Sequence, residues 1–254
     1  MVGSPVAHSR SPVMHRAAYD ALGLDWTYEA IDIPEGGLAD FASRLGDDWA
    51  GLSVTAPLKR EAAALATTAT DVVRELGVAN TLVSIQPDSG PTTWHATNTD
   101  VPGAVNALAE RGITAVQSVR ILGGGATAAS MLVVVRQLGA TDVEVLVRSP
   151  DKVHLDGVSV HSLGEPVGER VDLLISTLPA DVASGGSAAW AARASAIFDV
   201  SYDPWPTSLA GSARADQPFV SGLDLLAHQA ALQVELMTGE SVNAALLREA
   251  ALAS

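Results

Sequence analysis

A glycine-rich turn after a short apolar segment is the first feature whose residue types suggest a chemistry. Val119–Leu122 is followed by a run that matches the pattern G-x-G-x-x-A and ends at Ala128. In such turns the first glycine permits a sharp bend, the second lets the backbone approach a pyrophosphate, and the small third residue lets a helix pack on the strand. Free N–H groups at the start of that helix bind the phosphates. We therefore predict a dinucleotide site formed by Gly123, Gly124, Gly125, Ala126 and Thr127.

The residues at the end of the next predicted strand indicate which dinucleotide binds. NAD sites usually place Asp or Glu there, to accept a hydrogen bond from the ribose 2′-hydroxyl. This sequence has Arg148 and Ser149, with Lys152 close behind. A guanidinium pairs with a phosphate in a fork, so these side chains suit the 2′-phosphate of NADP. We predict NADP, and a surface arginine beside an NAD site is the alternative.

The first hundred residues carry polar side chains beside predicted helix and strand ends. Ser9 and Ser11 precede a helix that Pro12 can start, and hydroxyls and N–H groups there could hold a carboxylate, although a single serine that caps the helix would need no ligand. Further polar candidates are Thr55 and Lys59 just beyond a buried strand, Asn80 at the start of the next one, and Asp100 two residues after Asn98.

Alternating strands and helices must position these residues. The apolar runs predict strands at 27–33, 51–54, 81–85, 119–122, 143–147, 171–176 and 197–200. Helical patterns lie between them, at 12–22, 38–45, 101–111 and 127–138. Strands that are apolar nearly throughout and alternate with helices imply parallel sheets covered on both faces. The predicted class is α/β.

The chain is expected to divide near residue 100, where turn formers precede Pro102. A second sheet begins after Gly112, and the last part is helical, with Gly239 ending one helix and Ser241 expected to cap the next. We predict two domains with a ligand cleft between them. The first comprises residues 1–100 completed by 222–254, and the second, of Rossmann type, comprises residues 101–221.

Composition excludes several classes of function. Apolar residues make up 48% of the 254-residue chain and charged ones 17%, which is typical of globular proteins. A net charge of −14 without a basic run argues against nucleic acid as a partner. The absence of cysteine excludes disulfides, thiolate metal sites and cysteine nucleophiles. No apolar run reaches membrane-spanning length and no signal-peptide pattern opens the chain, so we expect a cytoplasmic protein.

The histidines have no metal-ligand spacing. We predict structural or exposed roles for His8, His15, His95 and His228, and no metal site.

Six separated motifs resemble those of the shikimate dehydrogenases, in the same order and over nearly the whole chain. They are Gly3-x-Pro5-x-x-His8-Ser9-x-Ser11-Pro12, Val54-Thr55-x-Pro57-x-Lys59, Ala79-Asn80-Thr81, Asn98-Thr99-Asp100-x-x-Gly103, Asp199-Val200-x-Tyr202-x-Pro204 and Gly222-Leu223-x-Leu225-Leu226-x-x-Gln229-Ala230. The resemblance implies NADP-linked reduction of 3-dehydroshikimate to shikimate, a step towards chorismate and the aromatic amino acids.

The resemblance also implies residue roles. The first domain would bind the small-molecule substrate and the second NADP. Ser9 and Ser11 would bind the substrate carboxylate, and Thr55, Lys59, Asn80, Asp100 and Gln229 would contact the ring hydroxyls, with Tyr202 nearby. Lys59 and Asp100 would form the catalytic pair. Further predicted cofactor contacts are Asp71, Val200 and Gly222. A monomer or a homodimer is expected.

The implied catalytic pair suits the chemistry. Hydride transfer to a ketone creates a developing alkoxide, which needs a proton and a nearby positive charge. Lys59 can supply both, while Asp100 holds the ammonium or shares the proton.

Some residues depart from the family pattern. Ser53 stands where the family usually has Asn, and Ser176-Thr177-Leu178-Pro179 replaces the usual Asn-Ala-Thr-Ser. Two alternatives therefore stay open. One is a relative that oxidises quinate with NAD, against which Arg148 counts. The other is a dinucleotide sensor without turnover, which would not need both Lys59 and Asp100.

Overall fold

The computed structural model describes residues 1–86, 92–153, 155, 157–180 and 182–254. Contacts between Cα atoms divide the chain into two units. The first unit is Met1–Asp100 together with Leu226–Ser254, and the second unit is Val101–Leu225. The chain thus leaves the first unit after Asp100 and returns to it at Leu226.

Among its described residues, the first unit contains six short strands. Four helices lie in the chain between the first five of these strands. The strands are β1 (Val2–Gly3), β2 (Ile31–Asp32), β3 (Gly51–Ser53), β4 (Thr68–Ala69), β5 (Thr81–Ile85) and β6 (Thr93–Thr97). The helices are α1 (Ser11–Leu22), α2 (Leu38–Ala42), α3 (Lys59–Leu65) and α4 (Asp71–Leu76). α5 (Asp100–Glu110) begins on the last residue of this part of the unit.

The sheet of the first unit is mixed, so the expectation of purely parallel sheets is wrong here. Its four strands have the order β3-β5-β6-β4, with β3–β5 and β5–β6 antiparallel and β4–β6 parallel. β1 and β2 form a separate parallel pair. The physical reason is that β5 ends at Ile85 and β6 begins at Thr93, and a connection this short cannot form the crossover that parallel strands need.

The sequence of α1 has the buried face and the end signals that a helix requires. Its buried residues follow the spacing of one helical face: Ser11, Met14, His15, Ala18 and Tyr19. Pro12 lies in its first turn, and Gly23, with φ of 68°, ends it in the left-handed conformation.

The second unit is built on a six-stranded sheet whose strand pairs are all parallel. Its strands are β7 (Ser118–Leu122), β8 (Asp142–Val147), β9 (Ser159–Ser162), β10 (Val171–Ser176), β11 (Ala194–Asp199) and β12 (Phe219–Ser221). Its helices include α6 (Ala126–Gln137), α7 (Ser187–Ala192) and α8 (Ser208–Ser212). The order β9-β8-β7-β10-β11-β12 is that of a doubly wound dinucleotide-binding sheet.

The strand order fixes where a ligand can lie. β7 has β8 on one side and β10 on the other, and the chain order reverses between β7 and β10. In open parallel sheets, ligands bind beyond the carboxyl ends of the strands at such a reversal. The glycine turn at Gly123 directly follows β7 at this point.

Arg120 is an unexpected charge in the core of the second unit. It is fully buried on β7, where Nη2 lies 2.5 Å from Glu144 Oε1 on β8 and donates to the carbonyl oxygen of Glu169 at 2.9 Å. Arg120 and Glu144 are register partners on the two strands. A buried guanidinium is tolerated only when it is paired in this way.

Two helices complete the chain. α9 (Gly222–Thr238) begins in the second unit and ends in the first, and α10 (Ala244–Leu252) follows it. Gly239 has φ of 78° and its N–H bonds the carbonyl oxygen of Glu235, as expected for a C-terminal glycine. The expected cap Ser241 is wrong. Asn243 caps α10, because its side chain accepts from Ala245 N at 2.9 Å.

Across the described ranges, no helix combines the length and apolarity that a membrane crossing requires. Within the same ranges, no three histidine or acidic side chains form a group that could hold a metal ion.

Candidate active site

Lys59 and Asp100 form a buried ion pair in the first unit. Lys59 is the first residue of α3 and Asp100 is the first residue of α5. Lys59 Nζ donates to Asp100 Oδ2 at 2.6 Å, and the two side chains are 11% and 9% exposed. Two residues that are 41 positions apart are thus brought into direct contact, with a small part of each open to solvent. A proton donor next to a carboxylate is the arrangement needed for acid–base chemistry.

Asn80 fixes the other oxygen of the carboxylate. Its Nδ2 donates to Asp100 Oδ1 at 2.9 Å and lies 2.9 Å from Thr99 Oγ1. Its Oδ1 accepts from Thr99 N at 2.8 Å and from Thr81 Oγ1 at 2.9 Å. The Asp100 carboxylate is therefore held on one side by an amide and on the other by an ammonium.

Gln229 reaches the same cluster from α9. Asn80 Nδ2 lies 3.3 Å from Gln229 Oε1, and Gln229 Nε2 donates to the carbonyl oxygen of Leu226 at 3.0 Å. Gln229 is 6% exposed. The structure thus brings together four predicted site residues: Lys59, Asn80, Asp100 and Gln229.

Ser9, Ser11 and Thr55 lie on neighbouring segments of the first unit. Ser9 Oγ accepts from Ser11 N at 3.2 Å, just before and at the start of α1. Thr55 is half-buried, and its N–H bonds the carbonyl oxygen of Val2 on β1 at 2.9 Å. Within the described part of the chain, no hydrogen bond joins these hydroxyls to Lys59 or Asp100, so their substrate contacts stay predictions.

His15 is a buried neutral side chain close to this region. It lies on α1, stacks on Tyr28 with ring centroids 4.0 Å apart, and its Nδ1 is 3.0 Å from the carbonyl oxygen of Ser11. Burial lowers the pKa of His15 from 6.5 to about 4, and the hydrogen bond with Ser11 opposes that shift. The predicted structural role of His15 agrees with this environment.

The glycine turn of the second unit has a backbone conformation that requires glycine at its first position. Gly123 has φ of 105°, and a Cβ there would lie 2.3 Å from Thr177 Oγ1, so only glycine fits without strain. A Cβ on Gly125 would meet nothing within 4 Å, so open space faces this part of the turn. Ala128, the third small position, is buried. Gly125 precedes α6 without capping it through a side chain, which leaves N–H groups for a ligand.

Arg148, Ser149 and Lys152 follow β8 beside this turn. All three are exposed, and Arg148 has no ion-pair partner among the described residues. A Cβ on Gly124 would lie 2.9 Å from side-chain atoms of Val147 and Val153, which brings the turn close to the end of β8. The residues present therefore fit a dinucleotide with a 2′-phosphate.

The remaining predicted contacts are distributed over both units. Gly222 lies against Val200, because a Cβ there would approach the Val200 carbonyl oxygen to 2.2 Å. Tyr202, which is two residues after Val200 in the chain, is half-buried. Asp71 belongs to the first unit, is exposed at the start of α4, and forms an ion pair with Arg74. The ligand roles of these four residues stay predictions.

Sequence reasoning missed the side chains that surround Asn80. Thr81 and Thr99 were visible only as parts of motifs, yet both bond the Asn80 side chain. Ser53 and Gln233 are joined by a hydrogen bond of 2.8 Å across 180 residues. The available signal for Gln233 is its position four residues after Gln229, on the same face of α9.

The fold and the site together define a class. A doubly wound parallel sheet with an open glycine turn at its strand reversal, and a buried lysine–aspartate pair, define an α/β oxidoreductase that uses a dinucleotide.

Comparison with known proteins gives the family. Residues 1–82 match the model of the shikimate dehydrogenase substrate binding domain, and residues 222–252 match that of the shikimate 5′-dehydrogenase C-terminal domain. The shikimate dehydrogenase (NADP(+)) of Microcystis aeruginosa is 31% identical, over 99% of this chain and 95% of that protein. The chain belongs to the shikimate dehydrogenase family.

Solved structures agree with this assignment. The shikimate dehydrogenase of Mycobacterium tuberculosis has a TM-score of 0.86 at 36% identity, covering 100% of this chain and 98% of that one. The shikimate 5-dehydrogenase of Thermus thermophilus, solved with NADP(H) and shikimate, has a TM-score of 0.83 at 28% identity, covering 99% and 97%.

The buried His15 predicts a specific loss of stability in acid. The unfolded chain binds a proton on this residue near pH 6.5, whereas the folded chain does so only near pH 4. The stabilisation is therefore complete above pH 6.5 and decreases as the pH falls towards 4. Wild type should lose about 2 kcal/mol more than His15→Gln between about pH 7.5 and about pH 4.5, measured by urea unfolding.

His8 provides the control for this experiment, because its side chain is exposed and its replacement by Gln removes no buried imidazole. His8→Gln should follow the wild-type pH dependence. An identical pH dependence in His15→Gln and wild type would contradict the assignment of a neutral buried imidazole.

Proposed function

We propose that this protein catalyses the reversible NADP-dependent reduction of 3-dehydroshikimate to shikimate, in the biosynthesis of chorismate and the aromatic amino acids. The observation that carries the proposal is the Lys59–Asp100 contact of 2.6 Å, held by Asn80 in a cluster with Gln229. The family membership of the chain supports the reaction, and the Thermus thermophilus relative, solved with NADP(H) and shikimate, supports the ligands.

The Lys59 side chain has the proton that the reaction needs. Reduction converts the ketone carbon to an alkoxide, whose oxygen requires one proton to become the hydroxyl of shikimate. Lys59 donates that proton from Nζ and, as an ammonium, stabilises the charge that precedes it. In the oxidation of shikimate, Lys59 starts as the neutral amine and accepts the same proton.

Asp100 orients the lysine and stabilises its charged form. Its Oδ2 accepts from Lys59 Nζ while its Oδ1 accepts from Asn80, so the carboxylate cannot rotate without breaking one of the two bonds. A fixed proton donor is an advantage because no reorganisation is needed when charge develops in the transition state.

The remaining polar side chains of the first unit would bind the substrate. Ser9 and Ser11 present hydroxyls beside the start of α1, where a carboxylate is also favoured by the helix dipole. Thr55, Asn80 and Gln229 offer donors and acceptors for ring hydroxyls. Tyr202 would add a contact from the second unit.

The glycine turn and the end of β8 would hold NADP. Gly123–Thr127 supply backbone N–H groups for the pyrophosphate, and Arg148, Ser149 and Lys152 suit the 2′-phosphate. NADPH, when bound, supplies the hydride for the ketone carbon. Asp71, Val200 and Gly222 are proposed as further cofactor contacts. A cytoplasmic location and a monomeric or homodimeric state remain predictions.

Purified protein should reduce NADP⁺ in the presence of shikimate. The measurement follows the absorbance of the reduced nicotinamide for shikimate and quinate, each with NADP⁺ and with NAD⁺. Turnover with quinate and NAD⁺ alone would replace the proposal by the quinate alternative. Absence of turnover with all four pairs, in a protein that binds NADP⁺, would identify a dinucleotide sensor.

Replacing Lys59 should remove catalysis and spare cofactor binding. Lys59→Ala deletes the proton donor, so kcat for shikimate oxidation should fall by about 10³-fold. Binding of NADP⁺, measured by calorimetry, should persist. Arg60→Ala is the matched control, because Arg60 is the exposed cation next to Lys59 and should leave kcat unchanged. A Lys59→Ala enzyme with near wild-type kcat would refute the catalytic assignment.

Replacing Arg148 should change cofactor preference. Arg148→Ala removes a charge-assisted contact with the 2′-phosphate, so the KM for NADP⁺ should rise by about 10- to 100-fold while the KM for NAD⁺ changes little. The exposed Arg170, which bonds Ser195, provides an arginine-to-alanine control. Equal weakening of both cofactors by Arg148→Ala would argue against 2′-phosphate recognition.

A further inference from the structure

Gln233 is a buried amide that forms hydrogen bonds with Ser53, Thr81 and the backbone of Asn80. It lies on α9 and is 1% exposed. Its Nε2 donates to Thr81 Oγ1 at 2.9 Å and to the Asn80 carbonyl oxygen at 3.2 Å, and its Oε1 accepts from Ser53 Oγ at 2.8 Å. The amide is therefore satisfied on both sides and has a defined orientation.

The hydrogen bonds of Gln233 connect β3 with its neighbour β5. Ser53 on β3 and Thr81 on β5 are register partners in the antiparallel sheet. Gln233 accepts from one and donates to the other, so it holds these two strand ends at a fixed separation. Asn80 precedes Thr81 directly, and its carbonyl oxygen also accepts from Val54 N at 2.7 Å.

A continuous series of contacts leads from Gln233 to the ion pair. Gln233 orients Thr81, whose Oγ1 donates to Asn80 Oδ1 at 2.9 Å. That bond and the one from Thr99 N at 2.8 Å together orient the Asn80 amide, so its Nδ2 faces Asp100 Oδ1 at 2.9 Å. The other oxygen, Asp100 Oδ2, accepts from Lys59 Nζ. An apolar side chain of equal length would fill the same space but would leave Thr81 Oγ1 without its donor from Gln233 and so weaken one of the bonds that orient the Asn80 amide.

We propose that Gln233, supported by Ser53, is a positioning residue for the Lys59–Asp100 pair. It touches neither member of the pair and acts through Asn80. The effect on turnover rests on the proposed shikimate dehydrogenase reaction, whereas the effect on the geometry of Lys59 does not. The effect on turnover and the effect on the geometry of Lys59 can be measured separately. A failure of the first alone would count against the proposed reaction, and a failure of the second would count against the positioning role.

The test compares two buried glutamines that each donate two hydrogen bonds and accept one. Gln217, in the second unit, is 6% exposed, donates to the carbonyl oxygens of Ala191 and Ala194, and accepts from Arg214 N. Gln233→Met and Gln217→Met each remove two donated bonds and one accepted bond. Both substitutions should lower Tm, so Tm reports the structural loss and cannot by itself support the proposal.

The kinetic readout separates the two variants. For Gln233→Met we expect kcat for shikimate oxidation to fall about tenfold and the KM for shikimate to rise severalfold, because the proton donor loses its alignment. The KM for NADP⁺ should stay within about twofold of wild type. For Gln217→Met all three constants should stay within about twofold.

A spectroscopic readout that needs no turnover is available because Lys59 and Lys152 are the two lysines of the chain. Protein labelled with ¹³C at lysine Cε should give two assignable signals. Gln233→Met should shift the Lys59 signal and leave the exposed Lys152 signal in place, whereas Gln217→Met should leave the Lys59 signal where it is.

The outcomes are distinct. Wild-type kcat, shikimate KM and Lys59 signal in Gln233→Met would overturn the positioning role. A wild-type protein without shikimate turnover would overturn the proposed function, and the Lys59 signal would still test the positioning role. If Gln233→Met does not fold, Ser53→Ala removes the bond to Gln233 Oε1 and leaves Gln233 in place. That variant should lower kcat about threefold and shift the Lys59 signal, and no change in either would overturn the proposal.

Discussion

The contact between Lys59 and Asp100 is the interaction on which the site depends. Asp100 begins α5, where the helix dipole favours an anion, but Lys59 begins α3, where the dipole disfavours a cation. Burial adds a desolvation cost for each charge. The ammonium is therefore stabilised chiefly by the carboxylate, and the carboxylate has to be held where it can act. Asn80 and its neighbours provide that constraint through directional hydrogen bonds.

The two units differ in which polar groups they must bury and which they must leave free. The first unit must bury a cluster of polar side chains around Asn80 and give them hydrogen-bond partners, which it does with a short mixed sheet and a helix that brings Gln229 and Gln233 to Asn80. The second unit must leave backbone groups unsatisfied at one place for a ligand. A parallel sheet with an apolar core and one open glycine turn achieves this, because the strand order itself creates the position.

Much of this architecture could be predicted from the sequence, since long apolar strands and special backbone positions leave local signals. The strands 81–85 and 171–176 have the predicted bounds, and the turn at Gly123 has the conformation that its glycine pattern indicates. β6 was missed because its alternating pattern contains threonine and histidine and no apolar run. The mixed sheet and the buried Arg120 were also missed, because strand direction and charge pairing depend on partners distant in sequence. The Ser53–Gln233 bond, across 180 residues, leaves no local pattern at all.

The division of the chain has a consequence for its biosynthesis. The first unit is interrupted after Asp100 and resumes at Leu226, so the whole second unit is translated between its two parts. Lys59, Asn80 and Asp100 leave the ribosome well before Gln229 and Gln233 exist. During that interval the polar cluster has no helix α9 to complete it, and the nascent first unit carries an exposed, unfinished core face. The second unit is continuous in the chain, so all of its residues are translated before α9 returns to the first unit.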